Sequence, residues 1–309
     1  MVGFFAPFGL KFTTDWGGGR FSRAPEAMQD IYYVDGKFVP EDQCLIPAKD
    51  LVVLRGYGVF DFLVTYNRRP FYLEEHVARL ANSARHIRLK LNHSEAEIME
   101  VVEETVKRNP HHGESTIRII YTGGISSDGV TPEGNGILVV MVAARKKLPA
   151  SWYTKGAKVI TNRIQRFIPD AKSTNYLAAI YAMEHAHQQG AIESIYVDRQ
   201  GRLLEGTTSN IFFFKDSRLV TGKQDILPGV TRQVLLNLLK EHFALELRDI
   251  HYDELAGMNE AFISSSHREV VPIVGVDDII IGQGRPGACT QKAMDIFRNY
   301  VSKYGQGEV

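Results

Sequence analysis

The sequence predicts an α+β fold divided between two domains. Three observations carry that prediction. Short β-rich runs bounded by turn residues recur along the chain, with amphipathic stretches of helical length between them. One segment, Arg145-Lys-Lys-Leu-Pro-Ala-Ser-Trp152, interrupts the pattern with charge, proline and small residues. The 309 residues are 44% hydrophobic and 23% charged, a globular composition with length enough for two cores.

Taken in order, the apolar opening Met1–Leu10 has no basic segment before it and no small-residue cleavage site after it, so it does not read as a signal peptide. Residues 1–28 read as a flexible N-terminal arm around Trp16-Gly-Gly-Gly-Arg20. Ile31 to Val39 is a hairpin about Asp35-Gly36. Gly58 to Tyr66 is a strand, Asn67 to Pro70 turns, and Phe71-Tyr-Leu begins a return strand. Leu73, Val77, Leu80, Ala84 and Ile87 recur at helical steps, predicting a helix over 74–88. Ser94 caps a second helix, which Asn109-Pro110 ends. Ser115–Tyr121 and Gly136–Ala143 are strands joined by the long connection 122–132, and long ordered connections are often functional.

Beyond the break, Ala157–Thr161 is a strand, Tyr176–Gln189 a helix closed by Gly190, and Glu193–Glu205 a hairpin. Asn210–Phe214 and Glu260–Ser264 are further strands, with helices over 233–242 and 291–304. The domains are thus expected at 29–147 and 156–309, with 148–155 as the linker between them.

Lys+Arg and Asp+Glu both number 36, so no net field favours nucleic acid or an anionic membrane as partner. No apolar run reaches the ~18–20 residues that span a bilayer. Cys44 and Cys289 are far apart and read as packing residues of a reduced, cytoplasmic protein. No dinucleotide or phosphate-binding glycine motif and no HExxH is present, and His111-His112 and His185/His187 lack partners at metal-ligand spacing. No metal is expected.

The candidate chemistry lies in two stretches, Asp170-Ala-Lys-Ser-Thr-Asn-Tyr-Leu177 and Leu204-Glu-Gly-Thr-Thr-Ser-Asn-Ile211. Lys172 follows the turn at Pro169 and opens the helix; a partly desolvated amine near other cations forms Schiff bases. Its other reading is a solvated surface lysine. Glu205 follows Leu203-Leu204 and suits a protonated ring nitrogen, or else is an exposed strand-end acid. Gly229-Val-Thr-Arg232 starts a helix whose free N–H groups and threonine hydroxyl suit a phosphate. Ser264-Ser-Ser-His-Arg-Glu269 offers a second hydroxyl cluster, or a polar turn. Arg79, on one helical face with His76, reads as a phosphate clamp or a surface charge. Arg118 stands inside the apolar run Ile117-Arg-Ile-Ile, which is costly unless it pairs with a substrate carboxylate or a structural acid.

Together these segments resemble the class IV aminotransferases, the fold-type-IV pyridoxal phosphate enzymes. The resemblance runs from about Ile31 to about Tyr304. It rests on Tyr57-Gly-Val-Phe60, His76-x-x-Arg79-Leu80, Lys172 with Asn175-Tyr176, Glu205-Gly with Ser209-Asn210, Leu227-Pro-Gly-Val-Thr-Arg232, and Glu269-Val-x-Pro272. It implies a smaller N-terminal α/β domain, a larger C-terminal pseudo-barrel domain, and pyridoxal 5′-phosphate as cofactor. By the same resemblance Lys172 carries the cofactor as a Schiff base and shuttles the proton, and Glu205 holds the pyridine nitrogen. Arg79, Val230, Thr231 and Ser266 hold the phosphate, and Tyr176 the ring hydroxyl.

Within the family, Leu54-Arg-Gly-Tyr-Gly-Val-Phe-Asp61 and the loop from Thr122 to Pro132 look like a divergent group of D-amino acid transaminases. In those, arginines matching Arg55 and Arg118 grip substrate carboxylates, which implies D-glutamate or D-alanine with 2-oxoglutarate or pyruvate. A branched-chain L-amino acid aminotransferase and aminodeoxychorismate lyase are the alternatives, with a non-catalytic binding protein beyond them. The Glu-Gly-Ile-Arg usual in branched-chain enzymes is absent after Phe60. The resemblance also implies a homodimer whose neighbouring subunit completes the site.

Overall fold

A computed structural model describes residues 29–309, and the expected N-terminal arm lies outside them. The first half builds one antiparallel sheet from β1 (Ile31–Val34), β2 (Lys37–Pro40), β3 (Gly58–Tyr66), β4 (Arg69–Pro70), β5 (Ser115–Thr122) and β6 (Leu138–Ala144), in the order β2-β1-β6-β5-β3-β4. Helices α1 (Leu51–Arg55), α2 (Leu73–His86) and α3 (Glu95–Arg108) accompany it. Alternation along β3 and β5 sends Leu63, Ile117, Ile119 and Tyr121 into a core with Val77 and Leu80 of α2 and Ile98 and Val102 of α3. The predicted cap of α3 is a full capping box: Ser94 Oγ accepts from the Glu97 N–H, and the Glu97 carboxylate accepts from the Ser94 N–H.

One sequence reading is corrected here. The return strand is only Arg69–Pro70, and Phe71 leaves the sheet. Its ring is almost fully buried against Phe297 and Tyr304, so burial outweighs the β propensity of Phe71-Tyr72. Within the segment read as a linker, Ala150–Thr154 is a short helix, α4, opened by Pro149 at its N-cap.

The second half forms a ten-stranded sheet. In chain order it comprises β7 (Ala157–Asn162), β8 (Ser194–Val197), β9 (Arg202–Gly206), β10 (Asn210–Lys215), β11 (Arg218–Thr221), β12 (Leu245–Leu247), β13 (Ile250–His251), β14 (Glu260–Ser265), β15 (Glu269–Val276) and β16 (Ile279–Ile280). The path runs β12-β11-β10-β14-β15-β7-β8-β9-β13, with β16 beside β15, and it curls until β9 lies against β10. Helices α5 (Leu177–Gln188), α6 (Val230–Leu239) and α7 (Ala288–Gln306) complete this half. This is the two-part α+β architecture expected, with the larger curled sheet second.

The halves are stitched together at α7. Tyr304 Oη accepts from the Tyr72 N–H at 3.0 Å and donates to the Pro70 carbonyl at 3.0 Å, while the Arg69 guanidinium lies 4.2 Å from the Tyr304 ring centre.

Candidate active site

Lys172 does not open a helix. It lies in an extended segment, five residues before α5 begins at Leu177, that runs alongside β3. The Phe60 N–H donates to the Lys172 carbonyl at 2.9 Å, and the Thr174 N–H donates to the Gly58 carbonyl at 2.9 Å. The Lys172 N–H donates to Ser83 Oγ of α2 at 3.0 Å. These backbone bonds override the helical reading and fix the side chain in a cleft of about 610 Å³, with Nζ 4.7 Å from the Phe60 ring centre. Burial, then the neighbouring Arg79 and Arg166 charges, push the amine down to about 7 against the pull of Asp61 and Glu205.

Glu205 lines the same cleft from β9 and is buried. Burial pushes its carboxyl up, opposed by Arg166, the Leu227 N–H, Lys172 and Arg79. Arg166 Nε stands 3.2 Å from Glu205 Oε1 without hydrogen-bond alignment, and that oxygen has no hydrogen-bond partner among the described residues. A buried acceptor without a donor is costly unless a ligand supplies one.

Val230 and Thr231 are the first two residues of α6, and Gly229 is its N-cap with no side-chain capping bond. A Cβ at Gly229 would stand 2.0 Å from Asn210 Oδ1, so only glycine permits this entry to the helix. Among the described residues, Thr231 Oγ1 is buried without a partner, as is Ser264 Oγ at the end of β14. Both residues line the Lys172 cleft, as does Ser266. Arg79 reaches it from α2, held by Asp61 and donating from Nη1 to the Pro228 carbonyl at 3.3 Å. Tyr176 also lines it, with its hydroxyl donating to the Thr207 carbonyl at 3.1 Å.

The two arginines assigned to substrate part company. Arg118 lines the Lys172 cleft, because alternation turns it to the face of β5 opposite the core. It is exposed and sits 6.0 and 5.7 Å from the ring centres of Phe60 and Phe62. The apolar run is therefore one-sided, and the arginine does not cross the core. Arg55 lines a neighbouring cleft of about 1060 Å³ and is exposed. The 122–132 loop packs beside it, wound around Asp128, whose carboxylate accepts from the Val130 and Thr131 N–H groups and the Ser126 and Thr131 hydroxyls.

Three site residues escaped the sequence reading. Asp61 buries a carboxylate within apolar β3, and the cost argument applied to Arg118 would have flagged it. Arg166, beside Glu205, had no local signal. Glu193, fully buried, accepts from the hydroxyls of Thr207, Thr208 and Ser209 and from Arg268 at 2.6 Å, fixing the loop after Glu205. Away from the cleft, Asp30 supplies the partner that His111-His112 lacked in sequence: Oδ1 lies 2.9 and 2.7 Å from the two Nε2 atoms.

Residues 58–276 match the family model for amino-transferase class IV. The chain belongs to the class IV aminotransferases. A Methanocaldococcus jannaschii protein provisionally named a branched-chain-amino-acid aminotransferase is 31% identical, over 88% of this chain and 97% of that one. A D-alanine aminotransferase of Bacillus licheniformis is 29% identical, over 86% and 95%. The solved Escherichia coli branched-chain amino acid aminotransferase superposes with a TM-score of 0.83 at 26% identity, covering 91% of this chain and 96% of that one.

This aminotransferase therefore uses pyridoxal 5′-phosphate, and its cleft fits that cofactor. A buried amine lowered to about 7, an acid oxygen lacking a donor, and unpartnered hydroxyls at a helix start (Thr231) and a strand end (Ser264) among the described residues match an aldehyde, a ring nitrogen and a phosphate in turn. Among the described residues, no helix is long and apolar enough to cross a membrane.

Proposed function

We propose that this aminotransferase moves an amino group between a D-amino acid, such as D-glutamate or D-alanine, and 2-oxoglutarate or pyruvate, in a ping-pong cycle. The observation that carries the reading is Arg118. Of the arginines lining the cleft, Arg79 faces Asp61, Arg166 faces Glu205 and Arg268 faces Glu193. Arg118 has no carboxylate partner among the described residues and is steadied by two aromatic rings. An unpaired guanidinium beside the reactive amine suits a substrate carboxylate. Phe60, Phe62, Ile120 and Trp152 also line the cleft and favour a second reading, a branched-chain L-amino acid.

Bound pyridoxal 5′-phosphate supplies the carbonyl that accepts the amino group and a ring that withdraws electrons. Lys172 Nζ would hold that carbonyl group and would carry the proton to and from the reacting carbons. Glu205 keeps the ring nitrogen protonated, Tyr176 holds the ring hydroxyl, and Arg79, Val230, Thr231 and Ser266 hold the phosphate. Since burial lowers the Lys172 amine to about 7, its neutral fraction grows as pH rises through that value. Capture of the cofactor by stripped enzyme should thus quicken ~10-fold per pH unit below 7 and level off above it. Stopped-flow absorbance checks this, and a rise continuing to pH 10 would contradict it.

A half-reaction screen separates the substrate readings. Holoenzyme is mixed with single L- and D-amino acids while its visible absorption band is followed. Ready conversion of L-leucine with none of D-alanine or D-glutamate would refute the first reading. Arg118→Ala should weaken the response to D-glutamate ~10–100-fold through KM, the size of a lost charged hydrogen-bond pair. An unchanged response sinks the carboxylate role.

We further propose a division at residues 148–155 into two domains, and a cytoplasmic homodimer. Phe167, Leu177 and Tyr181 expose 97%, 76% and 68% of their surface near the Arg55 cleft and support an interface there. Arg55 would then serve the neighbouring subunit.

A further inference from the structure

Residues 58–66 alternate, so Val59, Asp61 and Leu63 turn to the core and Phe60 and Phe62 turn to the cleft. Asp61 thus places a carboxylate among aliphatic side chains, fully buried, where a lone charge is untenable. Two residues of α2, one turn apart, answer it. His76 Nδ1 lies 2.6 Å from Oδ1. Arg79 donates from Nε to Oδ2 at 2.9 Å and from Nη2 to Oδ1 at 2.7 Å, a fork meeting a fork. That pairing uses one edge of the guanidinium. The remaining Nη1 is left pointing to the Pro228 carbonyl, one residue before the N-cap of α6.

We propose that Asp61 is the positioning residue of the phosphate site. It touches no ligand. It fixes the plane of Arg79 so that the free guanidinium edge and the opening N–H groups of α6 face one point. This rests on the reading above that Arg79 and α6 hold the cofactor's phosphate. The carboxylate is ionised: burial pushes it up, but Arg79 and His76 outweigh burial and hold it well below the usual range. His76 is held neutral by burial, so the cluster balances as one anion against one cation. A lysine in place of Arg79 would keep the charge but could not span both carboxylate oxygens.

The test measures dissociation constants of pyridoxal 5′-phosphate and of pyridoxal, which lacks the phosphate, for the full chain stripped of cofactor. The wild type is compared with Asp61→Asn and Arg79→Lys. In both variants the preference for the phosphorylated aldehyde should fall about 10-fold or more, the worth of an oriented charged hydrogen bond, with pyridoxal affinity nearly unchanged. An unchanged preference in either variant overturns the proposal. Equal weakening of both aldehydes also overturns it, since Asp61 would then merely brace the fold. If Asp61→Asn does not fold, Asp61→Glu, which keeps the charge but displaces the carboxylate that orients Arg79, takes its place with the same expected and overturning results. If the wild type itself does not distinguish the two aldehydes, the phosphate site has been misread, whatever Asp61 does.

Discussion

Lys172→Ala should lower transamination by at least ~10⁴-fold, the upper range for loss of a positioned proton-transfer group, since the same amine is proposed to bind the cofactor as well. The side chain ends in a cleft and contributes little packing, so the variant should fold. Thermal melting of the stripped protein checks that directly. Pyridoxal 5′-phosphate should still bind through its phosphate and ring contacts, but without the absorption band of a lysine adduct. A small added amine should restore part of the turnover, because it can supply the missing proton carrier. Retained activity in the alanine variant would move the chemistry to another residue.

Glu205→Gln comes second. The glutamine preserves shape but carries no charge, so on the proposed reading the ring nitrogen loses the anion that keeps it protonated, while Arg166 loses its counter-charge. Removing one preorganised electrostatic partner typically costs ~10²–10³-fold in kcat. The loss should fall on kcat, with cofactor affinity reduced less, because the substitution leaves the proposed phosphate contacts of Arg79, Val230, Thr231 and Ser266 in place. Steady-state kinetics with cofactor in excess separates the two. A variant impaired only in cofactor affinity would make Glu205 a binding residue alone.

The parts legible in the sequence are those whose cause is local. Asp35-Gly36 demands a turn, and both residues adopt positive φ there. Ser94 and Glu97 announce a helix start because their partners are each other. The order of the site segments was readable because each is a short run with its own turn or cap. What was not legible depends on distant partners. Lys172 sits next to a helix-forming run, and nothing nearby says that β3 and Ser83 will claim its backbone first. Asp61 with Arg79, and Arg166 with Glu205, are paired across different elements, so no periodicity links them. Arg118 is a simpler case. Ile117-Arg-Ile-Ile120 reads as a charge inside an apolar run, and alternation along β5 gives that charge a face of its own.

The segment that carries Lys172 follows the first half of the chain yet borrows its hydrogen bonds from that half. The Phe60 N–H and the Gly58 carbonyl of β3 and Ser83 Oγ of α2 all precede residue 172 in the chain and take their partners from its segment. The amine can be set in place only once both halves have met. Amide exchange at Phe60, Lys172 and Thr174 should therefore report their docking, and cofactor binding should slow all three together by closing the same seam.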